Sequence, residues 1–271
     1  MKIESYTFPE KIKHVVCSDL DETFLPFADE HKPYSGIVEL EQFLISNIES
    51  KSMIFGWITG SSLSSALRKT KGYITRYPHF IASCLGTEFH WIINNEIKES
   101  DAWKSRILAS GYKHSSVDLI IAELEKQHIC LEKEGDDYQG MYKSTYYYHI
   151  NGDTVTDFLL IEELAANYHV KVLFNKCNPG AGDPENCYDV EFMPHCCGKG
   201  EAVDFLIKEL DLTPENIYCF GDSFNDFSMF ARTKNAFLVG NADPEAKRRH
   251  PQVLEKEYCY GIRSKLEELL G

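Results

Sequence analysis

The apolar positions along the first third of the chain predict alternating buried strands and amphipathic helices. Short apolar runs at 15–18, 53–58 and 80–83 are typical of buried strands. Between them, apolar residues at helical spacing predict helices near 37–44 and 63–71. Strands that alternate with helices in this way form a parallel sheet through right-handed crossovers.

The last third of the chain repeats this pattern. A helical pattern follows residue 198 and ends before Pro214, and buried strands are predicted at 217–220 and 236–239. The fold class predicted for both thirds together is α/β, with a Rossmann-like doubly wound parallel sheet.

The middle of the chain has a different pattern, rich in hairpins and aromatic strands. A strand at 89–93 followed by two asparagines predicts a hairpin. Further strands are predicted at 142–150, 170–174 and 188–193, and helices at 117–127 and 154–168. We therefore predict a catalytic core of residues 1–86 and 195–271, with an inserted α+β cap domain at 87–194.

Composition and charge narrow the classes of function. The 271 residues are 43% hydrophobic and carry a formal net charge of -14, which repels nucleic acid and anionic membrane surfaces. No apolar run approaches the ~20 residues of a membrane span, and the first residues lack the apolar core of a signal peptide. These features predict a soluble cytoplasmic protein without nucleic-acid or membrane partners.

The nine cysteines are an odd number scattered through apolar segments, which predicts reduced thiols. Four of them lie with a histidine between residues 177 and 197. That cluster contains no Cys-x-x-Cys pair, and the vicinal Cys196 and Cys197 are poor joint ligands for one metal ion. Packed thiols are therefore favoured over a zinc site.

Two carboxylates, Asp19 and Asp21, directly follow the first predicted strand. Thr59, Lys199 and Asp222 also lie at or next to the ends of predicted elements of the same sheet. Because ligands of open parallel sheets bind beyond the carboxyl ends of the strands, these side chains are expected to converge.

Phosphoryl transfer through an aspartyl-phosphate suits this set of residues. Asp19 is the candidate nucleophile, and Asp21 is the candidate acid and base for the leaving alcohol and the attacking water. Lys199 would offset developing negative charge, and Thr59 would donate a hydrogen bond to phosphate.

The same chemistry needs a cation to screen the nucleophile from the phosphate. Mg²⁺ prefers oxygen ligands, and the carboxylates of Asp19 and Asp222 with a backbone carbonyl near Asp21 are the candidate ligands. Ser223 and Asp226 are expected to support the metal ligands through hydrogen bonds without binding the cation themselves. Backbone N–H groups of Gly60 and Ser61 are expected to bind phosphate oxygens.

Together these motifs resemble those of the haloacid dehalogenase-like phosphatase superfamily, over essentially the whole chain. The pattern comprises Asp19-x-Asp21-x-Thr23, Thr59, Lys199 and Gly221-Asp222-x-x-Asn225-Asp226. The resemblance implies Mg²⁺ dependence, a substrate-contacting Asn225 and a cap of type C2, as in the sucrose-phosphate phosphatase group. The second carboxylate, Asp21, favours a phosphatase over a dehalogenase.

Longer segments at 56–62, 78–83, 85–88 and 177–190 resemble kanosamine-6-phosphate phosphatases. This resemblance implies hydrolysis of kanosamine 6-phosphate (3-amino-3-deoxy-glucose 6-phosphate) in aminosugar antibiotic biosynthesis. An amino sugar requires carboxylates and polar groups for recognition. The candidate recognition residues are Glu88, Lys176, Asn178, Asp183 and Asp189.

Two other functions stay open from sequence alone. A phosphohexomutase of the same superfamily would return the phosphate to the sugar, and a non-catalytic sensor would bind a sugar phosphate without turnover. The intact pair Asp19 and Asp21 disfavours the sensor. The expected partner is a phosphorylated sugar, and the chain is expected to be a monomer or homodimer.

Overall fold

A computed structural model describes residues 4–177, 179 and 182–270 and divides the chain into two compact units. The core unit is Met1–Ser100 with Gly198–Gly271, and the insertion unit is Asp101–Cys197. A parallel α/β core interrupted by an α+β insertion agrees with the predicted fold class.

The described residues form the following elements in chain order. The strands are β1 Glu4–Ser5, β2 His14–Ser18, β3 Met53–Ile58, β4 Arg76–Tyr77, β5 Phe80–Ser83, β6 Glu88–Ile93, β7 Glu96–Glu99, β8 Glu132–Lys133, β9 Ser144–His149, β10 Val170–Lys176, β11 Cys187–Pro194, β12 Ile217–Gly221 and β13 Asn235–Leu238. The helices are α1 Ile37–Asn47, α2 Leu63–Thr70, α3 Asp101–Ala109, α4 Ser115–Lys126, α5 Thr154–Ala166, α6 Lys199–Glu209, α7 Phe227–Phe230, α8 Pro244–Arg249 and α9 Tyr258–Leu270. Short 3₁₀ turns lie at Asp29–Tyr34, Cys84–Gly86, Asp136–Tyr138, Pro214–Asn216 and Phe224–Asp226.

The core unit is built on a seven-stranded sheet of order β13-β12-β2-β3-β5-β6-β7. The first five strands in that order are parallel, as the alternating strand and helix pattern predicts. Strands β12, β2 and β3 are fully or almost fully buried, which explains their continuous apolar sequences. Their adjacent carboxyl ends place residues from distant parts of the sequence side by side.

The hairpin β6–β7 belongs to the core sheet and not to the insertion. Strand β6 pairs antiparallel with β5, and the ring of Phe80 on β5 stacks on Phe89 and meets Trp91 edge-on. The boundary predicted at residue 87 is therefore too early, and the insertion unit begins at Asp101. The hairpin's own sequence does not specify which sheet it joins.

The insertion unit contains an antiparallel four-stranded sheet of order β10-β11-β9-β8. One face is apolar and packs with residues of helices α4 and α5 around Tyr146, Val190 and Phe192. The residues that alternate with these, among them Thr145, Asp189 and Glu191, point to the opposite, polar face.

In the described part of the chain, no helix has both the length and the apolar character needed to cross a membrane.

Candidate active site

The candidate active site lies at the carboxyl ends of three adjacent parallel strands. Asp19 follows β2, Thr59 follows β3, and Asp222 follows β12. Lys199 is the first residue of helix α6. The structure thus gathers the four elements that the sequence analysis expected to converge.

The backbone after β2 turns sharply, which separates the environments of Asp19 and Asp21. The Asp19 N–H donates to the carbonyl of Phe220 on β12 at 2.9 Å. The N–H groups of Phe24 and Leu25 both donate to the carbonyl of Leu20, at 3.0 and 2.7 Å. As a result Asp19 is buried while Asp21 is half-buried.

Lys199 is a buried cation surrounded by oxygen atoms. Its Nζ lies 3.0 Å from Asp19 Oδ1, 2.6 Å from Asp226 Oδ1 and 2.8 Å from Asn225 Oδ1. Burial alone would lower the pKa of Lys199, but the carboxylates of Asp19 and Asp226 outweigh that effect and raise it. The ammonium group therefore stays charged beside the candidate nucleophile.

Asp226 holds the loop after β12 in place. Its Oδ2 accepts hydrogen bonds from the backbone N–H groups of Asp222 and Ser223, at 2.9 and 3.1 Å, while its Oδ1 binds Lys199. A Cβ at Gly221 would come within 2.3 Å of Asp226 Oδ2, so glycine is required at that position. Both oxygens of Asp226 therefore have partners within the protein.

Asp19, Asp222 and Asp226 offer carboxylate oxygens within 4.8 Å of one another. Burial raises the pKa of Asp19 to about 7; Lys199 partly opposes this, and Asp226 and Asp21 add to it. Loss of solvent raises the pKa of Asp222 well above its usual value, and Asp226 and Asp19 raise it further. One ammonium among three carboxylates leaves an excess of negative charge at this cluster.

The donor atoms of this cluster fit a hard divalent cation. Asp222 Oδ1 accepts from the hydroxyl of Thr23 at 2.9 Å, and Asp19 Oδ1 faces Lys199. No donor in the described ranges forms a hydrogen bond with the second oxygen of either carboxylate. All-oxygen ligand sets of this kind suit Mg²⁺, and a bound cation would favour the ionised forms.

Asp21 is held by two donors that come from the other side of the site. The Ser61 hydroxyl donates to its Oδ2 at 2.8 Å, and Lys69 Nζ on helix α2 lies 2.8 Å from its Oδ1. Lys69 also donates to the Ser61 hydroxyl at 2.9 Å. Sequence reasoning missed Lys69, which lies in the last turn of helix α2 and carries no motif of its own.

The loop after β3 presents the hydroxyl of Thr59. The Thr59 N–H donates to Ala82 at 2.8 Å, and its Oγ1 accepts from the Ser61 N–H at 3.0 Å. The hydroxyl proton of Thr59 can therefore still be donated to a ligand. The Ser61 N–H, expected to bind phosphate, instead orders the loop, and Gly60 lies half-buried between them.

Among the described residues, the other predicted site residues are not members of the carboxylate cluster of Asp19, Asp222 and Asp226. Glu88 accepts from the Ser83 hydroxyl at 3.1 Å at the start of β6. In the insertion unit, Asp189 is on the polar face, Asp183 is half-buried, and Lys176 is exposed at the end of β10 on the apolar side. Asn178 lies outside the described residues.

Comparison with known proteins identifies the family of the chain. Residues 12–263 match the sucrose-6F-phosphate phosphohydrolase family. A kanosamine-6-phosphate phosphatase from Bacillus subtilis is 37% identical over 268 residues, which are 97% of this chain and 94% of that protein. An uncharacterized hydrolase from Staphylococcus aureus is 27% identical over 265 residues, covering 95% of this chain and 97% of that protein.

Solved structures show the same fold. A haloacid dehalogenase-like hydrolase from Bacillus subtilis has a TM-score of 0.78 and 34% identity, covering 99% of this chain and 96% of that one. Sucrose-phosphatase from Synechocystis sp. PCC6803, solved with sucrose and phosphate, has a TM-score of 0.72 and 18% identity, covering 95% and 98%. At 18% identity, the similarity to sucrose-phosphatase shows the fold alone.

The fold and the site define a haloacid dehalogenase-like hydrolase. Within that class, the chain belongs to the sucrose-6F-phosphate phosphohydrolase family, and it is an enzyme, a phosphoric monoester hydrolase.

Proposed function

We propose that this enzyme hydrolyses phosphorylated sugars through a covalent aspartyl-phosphate on Asp19. The observation that supports the proposal most strongly is the environment of that carboxylate. Asp19 is 5% exposed, one oxygen faces Lys199 at 3.0 Å, and Asp222 lies in the same carboxylate cluster. A nucleophile in this position has its charge offset on one side and a second oxygen for attack.

In the first step, a lone pair of Asp19 forms a bond to phosphorus as the bond from phosphorus to the sugar oxygen breaks. Asp21 transfers a proton to that sugar oxygen, so the sugar leaves as an alcohol. Lys199 and the hydroxyl of Thr59 offset the charge on the phosphoryl oxygens.

In the second step, Asp21 takes a proton from a water molecule that attacks phosphorus. The bond from phosphorus to Asp19 breaks, which releases inorganic phosphate, restores the Asp19 carboxylate and leaves Asp21 again with the proton that it gave up in the first step. Ser61 and Lys69 fix the position of Asp21 for both proton transfers. Asp226, Asn225 and Ser223 keep Lys199 and the loop of Asp222 in place.

The proposed cofactor is Mg²⁺, held by the carboxylates of Asp19 and Asp222 with the backbone carbonyl of Asp21. The oxygen donors and the excess negative charge of the cluster support this choice. When bound, the cation supplies positive charge that screens the nucleophile from the phosphate dianion.

The proposed substrate is kanosamine 6-phosphate. The support is the 37% identity to a kanosamine-6-phosphate phosphatase over 97% of this chain. In this proposal the insertion unit serves as the specificity domain. Its candidate recognition residues are Lys176, Asn178, Asp183 and Asp189, and Glu88 is a further candidate from the core unit.

The test is inorganic phosphate release in Mg²⁺ buffer, with kanosamine 6-phosphate and glucose 6-phosphate compared directly. A preference of about a hundredfold or more in kcat/KM, roughly 2.7 kcal/mol of transition-state binding, is the expected result. Equal rates would limit the function to general sugar-phosphate hydrolysis. Isomerised sugar phosphate without free phosphate would show a mutase instead.

A further inference from the structure

The polar face of the insertion-unit sheet carries buried charged side chains that the proposed chemistry does not use. Glu134, Lys143 and Glu191 are 5%, 4% and 7% exposed. Glu134 extends β8 beside β9, since its N–H donates to the carbonyl of Thr145 at 3.1 Å. Asp189 lies on β11 opposite Tyr147 of β9. Charges buried this deeply on one face of a sheet require partners.

Glu191 has its partners within the protein. Its Oε1 lies 2.8 Å from Lys143 Nζ, and its Oε2 accepts from Asn175 Nδ2 at 2.9 Å. The ammonium of Lys143 and the carboxylate of Glu191 thus neutralise one another in a hydrogen-bonded pair. This pair accounts for one of the buried carboxylates.

Glu134 and Asp189 are not neutralised in the same way. Glu134 Oε1 is buried and has no hydrogen-bond partner in the described part of the chain. The Cys177 thiol donates to Asp189 Oδ1 at 3.2 Å, which is a weak hydrogen bond without charge. The two carboxyl groups share a side-chain hydrogen bond, which leaves Glu134 Oε1 as the unpartnered atom. Burial and the neighbouring Asp189 raise the pKa of Glu134 to about 8, although Lys143 lowers it in part. A buried carboxylate oxygen without a donor costs about 1–3 kcal/mol or more, so a ligand that brings an N–H donor to Glu134 Oε1 would be favoured.

The ligand that this pair fits is an organic cation and not a compact metal ion. Across residues 4–177, 179 and 182–270, the group of metal-type ligands within 4.8 Å of one another is Asp19, Asp222 and Asp226 of the core unit. Glu134 and Asp189 are absent from it. A primary ammonium carries three N–H donors and can bridge two carboxylates that are too few to enclose an ion.

We propose that Glu134 and Asp189 bind the protonated amine of an aminosugar phosphate and thereby select it over the matching sugar phosphate. The inference rests on the proposed function and adds the residues that bind the amino group of the substrate. A hydroxyl at the same position of the sugar has one O–H donor and no charge. The hydroxyl would leave one of the two carboxylates without a donor, and an unpaired polar group of this kind gives strong discrimination between substrates.

The experiment compares wild type with Glu134→Gln and Asp189→Asn, and with Glu162→Gln as a control. Glu162 is an exposed glutamate on helix α5, which packs against the other face of the sheet. The readout is the ratio of kcat/KM for kanosamine 6-phosphate to that for glucose 6-phosphate, with melting curves for each variant. Both site variants are expected to lower the ratio at least tenfold, and Glu162→Gln is expected to leave it unchanged.

A structural role for the pair would reduce both kcat/KM values together and leave the ratio unchanged, and that result overturns the inference. If wild type releases no phosphate from any sugar phosphate, the proposed function fails by itself. Calorimetric binding of the two sugar phosphates to Asp19→Asn, with and without Glu134→Gln, then decides the inference. A tenfold preference for the amino sugar that is lost in the double variant supports it; equal affinities contradict it.

Discussion

Asp19 and Asp21 lie two positions apart, yet their carboxylates have different partners. Asp19 faces the buried Lys199, whereas Asp21 is held by Ser61 and the half-exposed Lys69. In the proposed mechanism the first carboxylate attacks phosphorus, and the second exchanges protons with the leaving group and with water. This division of roles predicts different effects for substitutions around each carboxylate.

Lys69→Gln is expected to lower kcat by about tenfold to a hundredfold. The reason is that Asp21 loses one of its two fixed donors, and general acid–base catalysis contributes about 10²–10⁴-fold. Lys69→Arg should retain more activity because it keeps a charged donor. Steady-state kinetics with Lys71→Gln, an exposed lysine of the same segment, provide the control. A wild-type kcat for Lys69→Gln would contradict the proposal that Lys69 positions Asp21 for proton transfer.

Mg²⁺ is expected to raise the Tm of the wild-type protein by a few degrees, and a chelator is expected to abolish turnover until Mg²⁺ is restored. A ligand at 100 times its Kd stabilises a protein by about 2.7 kcal/mol. Asp222→Asn should lose most of the rise in Tm because it removes one of the proposed ligands. Asp211→Asn, at an exposed position with φ of 52° that asparagine tolerates, should keep it. An equal rise in Asp222→Asn would contradict the assigned site.

The sequence was sufficient to predict the residues of the core cluster but not all of their contacts. Asp19, Thr59 and Asp222 could be found because they follow recognisable buried strands. Lys69 could not, because its role depends on the direction of helix α2 relative to Asp21, which spacing alone does not determine. Glu134 was missed because its significance lies in a missing hydrogen bond that only coordinates reveal.

Among the secondary structure elements, the long buried strands and amphipathic helices were the most predictable. Strands β3 and β5 have the predicted bounds, since continuous apolar runs between turn residues have few alternatives. Helix α3 was missed because its buried residues are Trp103 and Ile107. Two positions are too few to show the helical periodicity of apolar residues. The β6–β7 hairpin was assigned to the wrong unit because the packing of Phe80, Phe89 and Trp91 decides its sheet.

Glu134→Gln is expected to stabilise the protein at high pH. The pKa of Glu134 is raised in the folded state to about 8, so the folded protein loses stability as the pH rises from the unfolded pKa to the folded pKa, and the loss is complete above it. Glutamine cannot ionise and escapes this loss, which includes repulsion from Asp189. Thermal melts near pH ~9 should show a gain of about 1–3 kcal/mol, with little difference near pH ~5. A variant that is less stable at the higher pH would contradict the unpaired state of Glu134.

For the whole molecule, the formal net charge of -14 opposes the approach of an anionic phosphate ester. Local cations must therefore offset this charge at the site. Lys199 and Lys69 supply two positive charges next to Asp19 and Asp21, and the carboxylate cluster is suited to a third from a divalent cation. The chain thus combines an acidic surface with a site that accepts an anion.

The most direct test of the account is a rapid-quench experiment with a sugar phosphate that carries a radiolabelled phosphoryl group. During turnover, wild-type enzyme is expected to acquire label that resists acid, is released by hydroxylamine as an acyl phosphate, and maps to the peptide containing Asp19. Asp19→Asn should remain unlabelled while its melting curve shows a folded protein. Phosphate release without any labelled enzyme, or label at another residue, would contradict Asp19 as the nucleophile.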